Sequence, residues 1–77
     1  MKKILYKNIV VDYNVMVGKP VIDGTRIPID LIIELMAQGT TTNEILEDYP
    51  NLKKEDIITV LEYVAKVVRG ESILPVS

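Results

Sequence analysis

The pattern of apolar and polar positions changes along the chain, and its first third is typical of extended backbone. From Ile4 to Val11 the sequence is dense in β-branched and aromatic residues, which favour strands. Further on, Asp23-Gly24 lies between apolar residues, as in a two-residue hairpin turn with positive φ at both central positions. These features predict a β-rich N-terminal element over residues 1–27, with a short hairpin.

The next segment has the pattern of a helix that is apolar over most of its surface. Pro28 suits the first helical position, and Gly39 suits the left-handed residue that follows a helix, so the predicted helix runs from Pro28 to Gln38. Its apolar residues form two faces, one of Ile29, Ile32, Ile33 and Met36 and a second of Leu31 and Leu35. Either both faces pack inside a monomer, or the second face contacts another chain.

Two further helices are predicted by local signals. Thr41 and Glu44 have the spacing of a capping box, and the helix that they begin must end before Pro50. A third helix is expected from about residue 54 to residue 68, before Gly70. Its predicted buried face is Ile57, Leu61, Val64 and Val68, and its predicted polar face is Glu55, Thr59, Glu62, Lys66 and Arg69. Joined by a short turn, these two helices have the order of a helix-turn-helix.

Composition adds an expectation of self-association. With 77 residues, the chain is one small domain, 1–77, of a size that buries a small fraction of its surface. We divide it into the β-rich element, a helical core over 28–70 and a tail over 71–77. Its hydrophobic share of 48% exceeds what one small core absorbs. We therefore expect a homodimer, with Leu31, Leu35 and Leu5 at the protein interface.

The residue inventory narrows the possible chemistry. The chain has no Cys and no His, so it lacks thiolate ligands, the commonest metal ligand and the commonest general base. We expect no enzymatic activity, no catalytic residues, no metal and no cofactor. No apolar run approaches the length of a membrane span or of a signal-peptide core, which predicts a cytoplasmic protein without a membrane partner.

A nucleic-acid site would have to be a local patch, because the net charge is -2. In a helix-turn-helix the first residues of the second helix reach the major groove, and here these are Lys53 and Lys54, with Thr59 a turn later. We take these three residues as the candidate contacts. The alternative is a solvated run in which the lysines are neutralised by Glu55 and Asp56.

The segment around Gly18-Lys19-Pro20 is read as structural. It does not match a phosphate-binding loop, because no glycine precedes it and Pro20 stands where a hydroxyl is needed. We expect Gly18, Pro20, Gly24, Arg26 and Gly39 to shape turns. Arg26 either reaches a carboxylate such as Asp30, fixing the hairpin to the helix, or contacts a partner or nucleic acid.

These residues together form a recognisable signature. Gly18-Lys19-Pro20, Gly24-Thr25-Arg26, Gly39, Glu44-Ile45-Leu46 and Tyr49-Pro50 lie in order within residues 18–64. This segment closely resembles the domain of unknown function 433 family. The resemblance implies a mainly α fold, a three-helix bundle of the homeodomain-like or winged helix-turn-helix class with a short N-terminal β-hairpin. It also implies an antitoxin encoded beside a PIN-like ribonuclease toxin, with no catalytic residues to carry over.

Two functions are therefore expected. The first is a DNA-binding, autoregulatory antitoxin that binds operator DNA as a homodimer and neutralises a PIN-like ribonuclease. The second is a protein-interaction module that does not bind DNA and uses the helix pair as a scaffold. An enzymatic role for the exposed carboxylates lacks a convergent pocket or base.

Overall fold

The computed structural model describes residues 2–71 of the chain. The described elements are strands β1 (Lys2–Tyr6), β2 (Ile9–Asp12) and β3 (Val21–Ile22), a short 3₁₀ turn at Met16–Gly18, and helices α1 (Ile29–Ala37), α2 (Thr42–Asp48) and α3 (Lys54–Val68). Most of the predicted tail, residues 72–77, lies outside the described residues.

The three strands form one antiparallel sheet in the order β1-β2-β3. A turn at Lys7-Asn8 joins β1 to β2, with Lys7 in the left-handed region at φ +49°. Ile9 of β2 lies opposite Ile22 of β3, and this pairing places β2 at the centre and β1 at an edge.

The expected mainly α fold with a single short hairpin is wrong, because the protein is α+β with a three-stranded sheet. The apolar run Ile4 to Val11 reads as one extended segment, but the turn at Lys7-Asn8 folds it into two strands. Lysine is not a usual left-handed turn residue, so the sequence carries little sign of this reversal. The third strand then comes from beyond the 3₁₀ turn.

The predicted two-residue turn at Asp23-Gly24 is also longer than expected. Of the two, only Gly24 has positive φ, and the Ile22 N–H bonds the Ile27 carbonyl at 3.2 Å. Thr25 closes the loop, because its hydroxyl donates to the Ile22 carbonyl at 2.7 Å and accepts from the Ile27 N–H at 3.1 Å. The loop therefore relies on a threonine side chain as well as on the glycine.

The helices lie where the pattern predicts them. Pro28 stands at the N-cap of α1, and Gly39 follows its C-terminus with φ +89°. The capping box of α2 is formed in both directions, with Glu44 N–H to Thr41 Oγ1 at 3.2 Å and Thr41 N–H to Glu44 Oε1 at 2.9 Å. Each of these signals acts within a few residues, which is why the sequence reveals them.

The core lies between the sheet and the three helices. Its buried members are Leu5, Ile9, Ile22, Ile29, Ile32, Ile45, Leu52, Ile57, Val60 and Tyr63. Leu5, predicted at a protein interface, is only 8% exposed and belongs to this core. Leu31 and Leu35 are half-buried, and Leu35 packs against the core, so this second face of α1 is partly used within the monomer.

The predicted buried face of α3 is confirmed at Ile57 and Val64, of which the second is half-buried against the core, and is wrong at Leu61 and Val68. Its buried residues are Asp56, Ile57, Thr59, Val60 and Tyr63, whereas Leu61 and Val68, predicted inside, are exposed. The apolar residues of α3 cover so much of its surface that periodicity alone allows more than one inward face. Packing against α1 and α2, together with the contacts to the sheet, decides which one is buried.

Candidate interaction surface on the third helix

The start of α3 is fixed by a buried carboxylate that sequence reasoning assigned to the surface. Asp56 is only 8% exposed, and its Oδ2 accepts the Lys53 N–H at 2.9 Å while its Oδ1 accepts the Asn8 side-chain amide at 2.7 Å. The first bond caps the helix, and the second ties the β1–β2 turn to it. Lysine at the N-cap position gives no capping signal, so the role of Asp56 was missed.

A second set of bonds fixes the same turn nearly two helical turns further along. Glu62 Oε1 accepts the Lys7 ammonium at 2.9 Å and the Tyr6 hydroxyl at 3.1 Å. The Lys7 hydrogen bond, followed by that of Tyr6, lowers the pKa of Glu62, and the same Glu62 bond raises the pKa of Lys7. Together with the Asn8–Asp56 bond, these contacts form what we call the hairpin clasp.

Tyrosine packing completes this side of α3. The rings of Tyr6 and Tyr63 lie 6.3 Å apart between centroids, and the Lys66 ammonium lies 5.8 Å from the Tyr6 centroid. Burial raises the pKa of Tyr63. The clasp and the ring contact therefore hold one side of α3 against the hairpin that β1 and β2 form.

The side of α3 that faces away from its buried residues is apolar and open. Ile58, Leu61 and Val68 are 47%, 46% and 80% exposed, and Ala65 between them is half-buried. The steps of three, four and three residues place these side chains in one line along the helix. We call Ile58, Leu61, Ala65 and Val68 the outward stripe.

The predicted nucleic-acid contacts are not brought together on this face. Lys53 and Lys54 are exposed at the start of α3, and within residues 2–71 neither makes an ion pair. Thr59 is only 8% exposed, and its hydroxyl donates to the Glu55 carbonyl at 2.9 Å. Because the side chain is turned inward and its donor is used, Thr59 is corrected from a base contact to a structural residue.

Arg26 does not make the predicted contact with Asp30. The Asp30 carboxylate instead accepts the Lys19 ammonium at 3.3 Å, and α1 is joined to the preceding loop by the Ile29 N–H and the Pro20 carbonyl at 2.9 Å. Arg26 is exposed beside an open cavity of about 680 Å³, whose far wall is the α2–α3 connection, residues 48–51.

The remaining predicted structural residues, Gly18 and Gly24, lie in turns with φ of +79° and +82°. In the part of the chain that the structure describes, no group of three or more His, Cys, Asp and Glu side chains could hold a metal ion. In the same range, no helix is long and apolar enough to cross a membrane.

The fold and this surface define a small α+β protein in which a three-stranded sheet is clasped to the third of three helices. The chain belongs to the family described as protein of unknown function (DUF433), whose model matches residues 9–64. An uncharacterised protein of Archaeoglobus fulgidus is similar, with 59% identity over 29 residues that cover 38% of this chain and 81% of that protein. No solved structure matches the chain.

Proposed function

We propose that this protein is an antitoxin-like protein-interaction module that binds a partner protein through the outward stripe of α3. The observation that carries the proposal is the exposure of three large aliphatic side chains in one line on the longest helix. Exposed aliphatic side chains that lie together, unlike scattered ones, mark binding surfaces on small proteins. The hairpin clasp supports the proposal, since it holds α3 rigid before any partner arrives.

The outward stripe of α3 is poorly suited to recognising DNA bases. Direct readout uses side chains that hydrogen-bond base edges, such as Arg, Asn, Gln, Ser and Thr. After Glu55, the next two outward positions of α3 are Ile58 and Leu61, while Thr59 is turned inward. The net charge of -2 adds no general attraction to phosphate.

The family resemblance suggests the class of partner, a PIN-like ribonuclease. Glu55 lies exposed beside the outward stripe, and the chain as a whole is acidic. An acidic surface with an apolar centre complements a basic protein that has an exposed apolar patch, and nucleases are commonly basic because they bind RNA. An antitoxin-like role of this kind is exercised in the cytoplasm, which we propose as the compartment.

The experiment is a protection assay with a PIN-like ribonuclease, the class of partner that the family resemblance implies. Leu61→Glu should lose protection of RNA, because it places a charge in the middle of the apolar contact. Ile4→Glu is the matched control, since Ile4 is equally aliphatic and 69% exposed but lies on β1. Protection by Leu61→Glu equal to that of the unaltered protein would refute the proposal.

Operator binding is the second candidate, and one observation favours it. Lys53 and Lys54 are both exposed and make no ion pair within residues 2–71, so both ammonium groups are available to phosphate. A mobility shift on DNA from upstream of the gene, at low and moderate salt, tests this. Replacing both lysines by Glu should abolish the DNA mobility shift without changing the melting temperature of the protein. A mobility shift with that variant would remove these residues from the candidate site.

A further inference from the structure

We infer that the outward stripe of α3 packs against the same stripe of a second copy of the chain, with the two helices antiparallel about a twofold axis. This inference rests on the proposed function: a second copy covers the stripe until the ribonuclease displaces it, because one stripe holds one partner at a time. It also replaces the expected interface at Leu31, Leu35 and Leu5, whose residues are half-buried or buried.

The spacing of the stripe is that of a two-helix seam. Positions 58, 61, 65 and 68 alternate steps of three and four, which is the repeat by which paired helices interdigitate. The four residues span ~15 Å of helix at 1.5 Å per residue. The seam therefore uses most of α3.

An antiparallel arrangement matches the side chains in size. When the two helices run in opposite directions, Ile58 lies opposite Val68 of the second copy, and Leu61 lies opposite Ala65 of the second copy. A large side chain thus faces the smallest one of the stripe, which lets the helix axes approach closely near the twofold axis. A twofold contact is self-complementary, so one stripe supplies both halves of the interface.

The charges at the ends of α3 select the antiparallel direction. Glu55 and Lys54 lie at the N-terminus, and Arg69 follows the C-terminus with an exposed side chain. In the antiparallel pair Glu55 approaches Arg69 of the second copy, whereas in a parallel pair these two residues lie at opposite ends of the seam and make no contact. The intramolecular Arg69–Glu71 bond of 3.0 Å is at the surface and leaves the guanidinium room for a second acceptor.

The antiparallel pair also accounts for Lys54. A lysine in the first turn of a helix is opposed by the positive end of its own helix dipole. In the pair, Lys54 instead lies beside the C-terminal end of the second copy's α3, where unpaired carbonyls favour a cation. A residue that is unfavourable in the single chain becomes favourable in the dimer.

Sedimentation velocity of the full chain across a wide concentration range tests the inference. The unaltered protein should shift from monomer to dimer as concentration rises, Leu61→Glu should stay monomeric, and Ile4→Glu should still dimerise. A monomer at every concentration would overturn the inference. Far-UV circular dichroism and a thermal melt check that Leu61→Glu remains folded.

A charge exchange tests the direction of pairing without touching the apolar seam. Glu55→Arg and Arg69→Glu alone should each weaken the dimer several-fold, because each puts like charges together in the antiparallel pair. The double variant should restore association towards that of the unaltered protein. Failure of the double variant to recover would overturn the antiparallel arrangement.

Failure of the dimer and failure of the proposed function give different results. A wild-type protein that stays monomeric, while Leu61→Glu loses nuclease protection, overturns the dimer and leaves the proposed function standing. A Leu61→Glu variant that is monomeric yet protects RNA fully supports the dimer and refutes the proposed function.

Discussion

Removing the carboxylate of Asp56 should destabilise the protein far more than removing any acidic side chain at the surface. Asp56→Ala deletes the acceptor of the Lys53 N–H and of the Asn8 amide in a site that is only 8% exposed. Loss of a helix cap costs ~1 kcal/mol. Loss of a hydrogen bond to a charged acceptor costs a further ~1.5–3 kcal/mol. We expect a total of ~2.5–4 kcal/mol from these two terms.

This loss is a large part of the stability of a small domain. At ~0.05–0.15 kcal/mol per residue, a chain of this length is stable by ~4–12 kcal/mol. Since 1 kcal/mol lowers the melting temperature of a domain this small by about 4–8 °C, Asp56→Ala should melt roughly 10–30 °C lower. Urea unfolding followed by circular dichroism measures the free energy directly.

Two comparisons make the test specific. Glu47→Ala removes an exposed carboxylate of α2 that makes no hydrogen bond or ion pair within residues 2–71, and it should change stability by less than about 0.5 kcal/mol. Asp56→Asn keeps an oxygen that can accept the Lys53 N–H, so it should lower the free energy of unfolding less than Asp56→Ala does. Equal melting temperatures for Asp56→Ala and Glu47→Ala would refute the role given to the clasp.

Three further predictions concern the core, a helix end and pH. Ile45→Ala should lower the free energy of unfolding by ~2–5 kcal/mol in urea titrations, because Ile45 is fully buried, and a loss below 1 kcal/mol would contradict its place in the core. Gly39→Ala should lower the free energy of unfolding by ~1–2 kcal/mol, because φ is +89° at this position although the space beside it is open. An unchanged melting temperature would show that the turn relaxes to accept alanine. The Lys7 hydrogen bond lowers the pKa of Glu62 in the folded protein, so ionised Glu62 contributes to stability. This contribution should be complete above the ordinary Glu pKa of ~4.3 and be lost as the pH falls through the lower pKa of the folded state. Glu62→Gln should lack this part of the pH dependence of stability, and an unchanged acid profile would exclude the contribution.

The helices are predictable from the sequence because their signals are local. Thr41 and Glu44 satisfy each other across one turn, and Gly39 ends α1 without help from distant residues. The sheet is not predictable in this way. Its first turn uses Lys7 at positive φ, and its third strand is only two residues long, so both depend on pairing with β2.

The candidate surface shows the same division between local and distant causes. Apolar residues on α3 are evident in the sequence, but which of them stay exposed depends on how α3 packs against α1, α2 and the hairpin. The Asn8–Asp56 bond, between residues 48 positions apart, is one of the contacts that fix this orientation. No periodicity within α3 contains that information, and Leu61 was therefore predicted inside.

The hairpin clasp also bears on the order in which the chain can fold. Its three bonds join residues separated by 48, 55 and 56 positions, so the first to form must close well over half of the chain into a loop. The entropy of that closure is lost once, and the later bonds then form at little extra cost. We therefore expect the hairpin to dock late and cooperatively, after the helices have formed locally. A chain emerging from the ribosome exposes its hairpin before α3 and can secure it only after α3 has been made.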